Sequence, residues 1–270
     1  MAKGKTPAGA GAGDPGRRVF VVGAGGDWCI EGFGPGDVIA VDCPGVADFA
    51  ALWACLSEDG QGGTRMRLPG GQVIRVAGLD GHSLGAGRVR FGPGPAGFLR
   101  GTLIGTAAGA RRVETLRPGD LILTRDHGAQ PLLHVSRTEL HFGPGAQAMK
   151  PLRLPPHALA PGVPEHEMRV PPGLRFGLPA AAPRVVLAAR KLRHLAGVSG
   201  RPNCRVARCY HLLLERHELV RANGAWAETL LLTGTTEALA GIPAALQGKA
   251  RQMVRPLAVS AAEAAGDVEA

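Results

Sequence analysis

The sequence predicts a mostly β protein. Its apolar residues come in short runs bounded by glycine and proline, and the 41 glycines and 22 prolines of the 270 residues are spread along the chain as turns. Two pairs of runs are separated by hairpin-type turns, Pro69-Gly70-Gly71 and Asn223-Gly224. Apolar residues make up 45% of the chain, enough for a folded core and too many for a disordered composition.

Taken in order, residues 1–16 are a Gly/Ala/Pro tail without apolar periodicity, read as disordered. "RVFVV" (18–22) and "DVIAV" (37–41) read as strands, the second entered through Gly34-Pro35-Gly36. Val46, Phe49, Leu52, Trp53 and Leu56 fall at helical spacing. "TRMRL" and "QVIRV" flank the first hairpin turn, and "GRVRF" closes a first module over 17–92. A Gly-Pro-Gly-Pro linker leads to a second domain, 96–232. It opens with strands at 102–104 and 121–124, continues through a proline-rich stretch at 141–172 read as a surface loop, and closes with strands at 208–215 and 218–222 joined by a tight turn. Residues 233–270 are read as a short helix, with Leu239, Ile242, Leu246 and Met253 on one face, and a frayed tail.

Composition narrows the function. No stretch reaches the 18 apolar residues of a membrane span. A net charge of +9 attracts anionic partners, yet the arginines are scattered and aromatics are only 4%, which disfavours a nucleic-acid stacking surface. Five cysteines at irregular spacing do not form a disulfide framework. The N-terminus has no apolar core region, so no N-terminal signal peptide is expected. Cys209 and His211, two apart on a strand, would share a face, with Cys204 and His217 close in sequence; the spacing fits no familiar zinc site, and no metal or cofactor is expected.

"VFVVGAGGDW" begins like a dinucleotide-binding turn, but Trp28 stands at the third glycine position and no amphipathic helix follows. Gly23, Gly25, Asp27, Gly32-Phe33, Pro35-Gly36 and Asp37 instead resemble the last glycine-rich turn of a calcium-binding RTX β-roll, and residues up to 91 resemble the capping strands that follow it. One repeat supplies too few oxygens to wrap calcium, so a structural module is expected. The resemblance implies export through a type I channel, to the outside or the surface of the cell; the cytoplasm is the alternative.

A more specific resemblance covers 96–231. Gly97-Phe98-Leu99-Arg100-Gly101-Thr102-Leu103-Ile104, then Val113-Glu114-Thr115-Leu116 and Pro118-Gly119-Asp120, match the opening of a Hint domain, the fold of hedgehog autoprocessing domains and inteins. Tyr210-His211-Leu212, His217 and Ala222-Asn223-Gly224 match its close. The resemblance implies an all-β domain that cleaves its own backbone. In the family the first-position cysteine attacks the preceding carbonyl to form a thioester, and a histidine in a middle motif protonates the departing amide nitrogen. Here Gly97 stands at the cysteine position, and "VPPGLRFGL" (170–178) places Leu174 at the histidine position. Of the family positions Gly97, Leu174, His217 and Asn223, the first two lack the reacting group. The expectation is a Hint domain without cleavage. Residual autoproteolysis by another route, or a basic module for nucleic acid or anionic surfaces, is the alternative.

Overall fold

The computed structural model describes residues 17–91, 97–177, 186–233 and 242–253. The predicted disordered tail, the start of the predicted C-terminal helix with Leu239, and the frayed tail after it lie outside the described residues. The chain divides into two compact units. One holds 17–91 together with 139–149 and 203–206; the other holds 97–138, 150–177, 186–202 and the described residues from 207 on.

The first unit is built on short strands: β1 (Arg17–Gly23), β2 (Trp28–Ile30), β3 (Val38–Asp42), β4 (Leu56–Glu58), β5 (Thr64–Arg67), β6 (Val73–Val76) and β7 (Val89–Phe91). β3 runs parallel to both β1 and β7, with Phe20 opposite Ile39 and Ile39 opposite Val89. A second sheet has the order β2-β6-β5-β4, and its β5–β6 hairpin turns at Pro69-Gly70-Gly71. The buried faces meet in one core containing Phe20, Val22, Ile39, Val41, Leu52, Met66, Ile74 and Val76. The helical spacing yields only α1 (Phe49–Trp53), capped by Asp48, whose carboxylate accepts from the Ala51 N–H at 2.8 Å. It is short because Leu56 already belongs to β4, which pairs with β5.

Asp27 and Asp37, the acidic residues of the glycine-rich turn, have partners on nearby strands. Asp27 Oδ1 accepts from the Val73 N–H at 2.8 Å, and Asp37 pairs with Arg18 and accepts from the Gly34 N–H at 2.7 Å. Each closes a loop onto a strand.

The second unit contains β8 (Phe98–Leu99), β9 (Leu103–Thr106), β10 (Gly109–Arg112), β11 (Leu121–Leu123), β12 (Ala129–Pro131) and β13 (His134–Phe142), of which 139–142 belong to the first unit. There follow β14 (Leu152–Leu154), β15 (Met168–Val170), β16 (Arg175–Gly177), β17 (Val186–Ala188), β18 (Ser199–Gly200), β19 (Val206–Leu213), β20 (Leu219–Ala222) and β21 (Ala225–Glu228). The main sheet has the order β12-β11-β9-β20-β21-β16-β17, with β10 folded back on β9. Opening and closing segments are therefore neighbours: Ala222 lies opposite Ile104.

Three expectations change. The stretch 141–172 is not a bare surface loop. β14 and β15 pair within it, and Leu152, Leu154, Met168 and Val170 enter the domain core beside Phe98, Ile104 and Leu174. The apolar residues there alternate over only three positions per strand, too few to stand out among the prolines. The strands at the closing motif are Val206–Leu213 and Leu219–Ala222, and they do not pair as a hairpin: β19 pairs with β8, while β20 pairs with β21 and β9. Each finds its apolar match in a more distant segment. In the C-terminal region, the described residues show a single 3-10 turn, Ala244–Leu246, and Ile242 and Ala250 pack against Leu213, Leu230 and Leu232.

Candidate functional site

Gly97, the predicted first position, sits at the edge of the β8–β19 pair. Tyr210 lies opposite Phe98, so the same antiparallel register carries His211 to Gly97. Cys209 and His211, two apart on β19, point to one face, and that face closes over Gly97. A Cβ built on Gly97 would lie 2.7 Å from Cys209 Sγ, 2.7 Å from His211 Nδ1 and 2.8 Å from the Tyr210 carbonyl oxygen. These are closer than any real Cβ contact, so a glycine is what this packing admits. Side chains of β19 fill the volume that a nucleophile's stem would need.

The three groups around Gly97 have defined states. Cys209 is fully buried, and burial pushes its thiol up to about 12, with a hydrogen bond involving the Tyr210 backbone pulling weakly the other way. His211 is equally buried, its Nε2 3.0 Å from Thr138 Oγ1. Thr102, the nearest hydroxyl in the opening motif, donates to the Leu99 carbonyl at 2.7 Å and is buried there.

Asn223 occupies the other corner. With φ of 47° and Gly224 at 87°, it forms the two-residue turn between β20 and β21, a conformation that asparagine and glycine tolerate best. A Cβ on Gly224 would also run into Glu165 Cγ at 2.6 Å. Asn223 Oδ1 accepts from the Leu103 N–H at 2.7 Å, and its own N–H donates to the Leu103 carbonyl at 2.8 Å. Its Nδ2 donates to the Glu167 carbonyl at 3.1 Å, and its carbonyl accepts from the Glu165 N–H at 2.8 Å. One side chain and its backbone thus tie three distant segments together beside a cleft of about 200 Å³ lined partly by Arg100, Thr102 and Arg169.

The other predicted positions have their own surroundings. His217 Nε2 faces Glu228 Oε2 at 3.2 Å, and Arg175 Nε donates to the same carboxylate at 2.7 Å. His217 and Glu228 are both fully buried. Leu174 is a core residue in the turn entering β16, its N–H bonded to the Pro171 carbonyl at 3.1 Å. The three atoms nearest the missing Cβ of Gly97 come from Cys209, His211 and Tyr210, and none comes from Leu174, His217 or Asn223. The sequence pairs Cys209 with His211 as metal-ligand candidates and sets His211 in the closing motif, but places neither at residue 97. Their spacing of two, read together with the antiparallel match of the opening and closing motifs, was the available signal for their place at residue 97. The thiol of Cys204 approaches the Val206 carbonyl at 3.5 Å, and among the described residues no three His, Cys, Asp or Glu side chains gather as a metal site.

Comparison with known proteins bears on this geometry. The Hint domain family model matches residues 96–234, just over half of the chain. The solution structure of a bacterial intein-like domain from Clostridium thermocellum is similar at 13% identity and a TM-score of 0.37, covering 50% of this chain and 99% of that one. The gp41-1 intein crystal structure is similar at 14% identity and a TM-score of 0.34, covering 49% and 97%. The AceL NrdHF class 3 split intein, a splice-inactive variant, shows 9% identity and a TM-score of 0.36, covering 51% and 99%. No curated protein matches the chain. With the opening and closing motifs paired in one sheet and the family model spanning both, the chain belongs to the Hint domain family.

Proposed function

We propose that this chain carries a Hint domain of the autoprocessing type that leaves the bond before Gly97 intact. The observation behind this is the occupied corner: a Cβ at position 97 would stand 2.7 Å from both Cys209 Sγ and His211 Nδ1. Acyl shift needs a thiol or hydroxyl on the residue that follows the scissile carbonyl. Gly97 has neither, Phe98 has neither, and the Thr102 hydroxyl is committed to the Leu99 carbonyl. Leu174 at the middle-motif position leaves no imidazole there to protonate a departing nitrogen. On this reading the domain acts as a non-catalytic module. We also carry forward, as a proposal, that the first unit is a cap of the RTX type and that the protein leaves the cell by a type I route; finding the protein only in the cell pellet, with that exporter present, would remove it.

The test is intact-mass analysis of the purified chain after incubation with dithiothreitol and with hydroxylamine. A single full-length mass under all conditions is the expected result. Fragments divided between residues 96 and 97 would overturn it. Should those fragments vanish in Cys209→Ala, the thiol of β19 would be the nucleophile.

A further inference from the structure

Two arginines of the first unit stand without a counter-ion among the described residues. Arg90 lies on β7 opposite Ala40 of β3, and Val21 of β1 lies opposite Ala40 in turn. Its neighbour Val89 enters the core with Ile39 and Phe20, so strand alternation turns Arg90 to the other face. Arg17, Val19 and Val21 of β1 point to that same face. Only 9% of Arg90 is exposed, and its Nε is buried with no hydrogen-bond partner. Arg17 is half-buried. The carboxylates nearby are engaged elsewhere or stand apart: Asp37 pairs with Arg18 and Asp59 with Arg75. Asp42 ends β3 on the face of Arg90, opposite Gly23, and makes no ion pair with it.

The charge that Arg90 feels comes from Arg17. Burial, and after it the Arg17 guanidinium, bring the Arg90 group down to about 10, so it stays charged at neutral pH. A buried charge without a counter-ion is costly, and a like charge beside it adds to the cost. An oxyanion removes both terms. The bare group here is a donor, which suits an anion, and a guanidinium offers its N–H groups in a planar fork that two oxygens of such an ion match. Two guanidinium charges are balanced by a dianion. We propose that Arg17 and Arg90 form a binding site for a phosphate-class dianion, held by Arg90 from the buried side and by Arg17 from the solvent side.

The probe is inorganic phosphate, titrated into the full chain at pH 8 with ionic strength held constant by chloride, and followed by calorimetry and by the Nε–H resonance of Arg90. The expected result is saturable binding in the millimolar range or tighter, with that resonance moving as the site fills. Acetate, which carries one charge, should bind more weakly. Arg90→Met should abolish the saturable response; it keeps an apolar stem of similar length and removes a charge that has no counter-ion, so the fold should survive. Arg17→Gln should weaken binding about tenfold, the scale of one charge-assisted hydrogen bond. A phosphoserine peptide bound more tightly than free phosphate would identify a phosphorylated side chain as the source, and equal or weaker binding a free phosphate. No saturable response in the wild type, an Arg90 resonance that stays in place, acetate bound as tightly as phosphate, or binding that survives Arg90→Met unchanged overturns the proposal. The first and second of these are read on the wild-type chain and do not depend on how a variant folds. Because the site does not involve residue 97, its failure leaves the mass analysis untouched, and the reverse holds too.

Discussion

The two corners of the Hint unit kept different things. At Gly97 the space a side chain would need is filled by Cys209 and His211. At Asn223, the predicted closing position, the residue makes four hydrogen bonds to backbone groups of Leu103, Glu165 and Glu167. On the proposed reading the first corner is where the chemistry would lie, and neighbouring side chains take that space. The second serves the fold, holding β9 and the 165–167 segment to the turn at 223. A matched motif therefore testifies to chemistry only where the matched residue is not also required by the backbone.

Substitutions sharpen that contrast. The largest effect is expected at the buried cluster of the closing motif: Glu228→Ala strands Arg175 and His217 without their shared carboxylate and should cost about 3–5 kcal/mol in urea unfolding. Near-wild-type stability would show that His217 is not held for structural reasons. Asn223→Ala removes the acceptor for the Leu103 N–H and places alanine at positive φ. About 1–3 kcal/mol for the orphaned donor and roughly 1 for the backbone should appear in the same assay. Asn223→Gly should recover the backbone part alone.

Gly97→Ala drives a methyl group into Cys209, His211 and the Tyr210 carbonyl, and should cost about 1–3 kcal/mol. Adding Cys209→Ala should relieve part of that loss, a coupling of about 0.5 kcal/mol or more by a double-mutant cycle. Strict additivity would mean that the corner is not filled as described. Gly97→Cys alone should stay uncleaved under thiol for the same reason. The smallest effect is on reactivity. Burial pushes the Cys209 thiol up to about 12 and shields it, so iodoacetamide should label it only after denaturation, as read by peptide mass mapping.

Much of this was legible in the sequence. Phe98–Ile104 and Tyr210–Gly224 announced the Hint fold because their glycines, asparagine and alternating apolar residues answer to local rules of turn and strand. The partners of the strands were not legible. That β19 pairs with β8 and not with β20 depends on tertiary fit. The β14–β15 pair hid among prolines for want of length. The neighbours of Gly97 were hard to read for a related reason: a glycine carries no side chain to signal what it packs against, and only the cross-strand register brings His211 there.

The hub at Asn223 also constrains how this unit can be made. Its partners sit at 103, 165 and 167, so on a translating ribosome β9 waits for more than a hundred further residues before β20 arrives beside it. Until then the opening hairpin presents an unpaired edge, the kind of surface that recruits chaperones or sticks to other nascent chains. A nonsense change anywhere before the Asn223 codon would leave that edge permanently open, whatever else of the protein had folded.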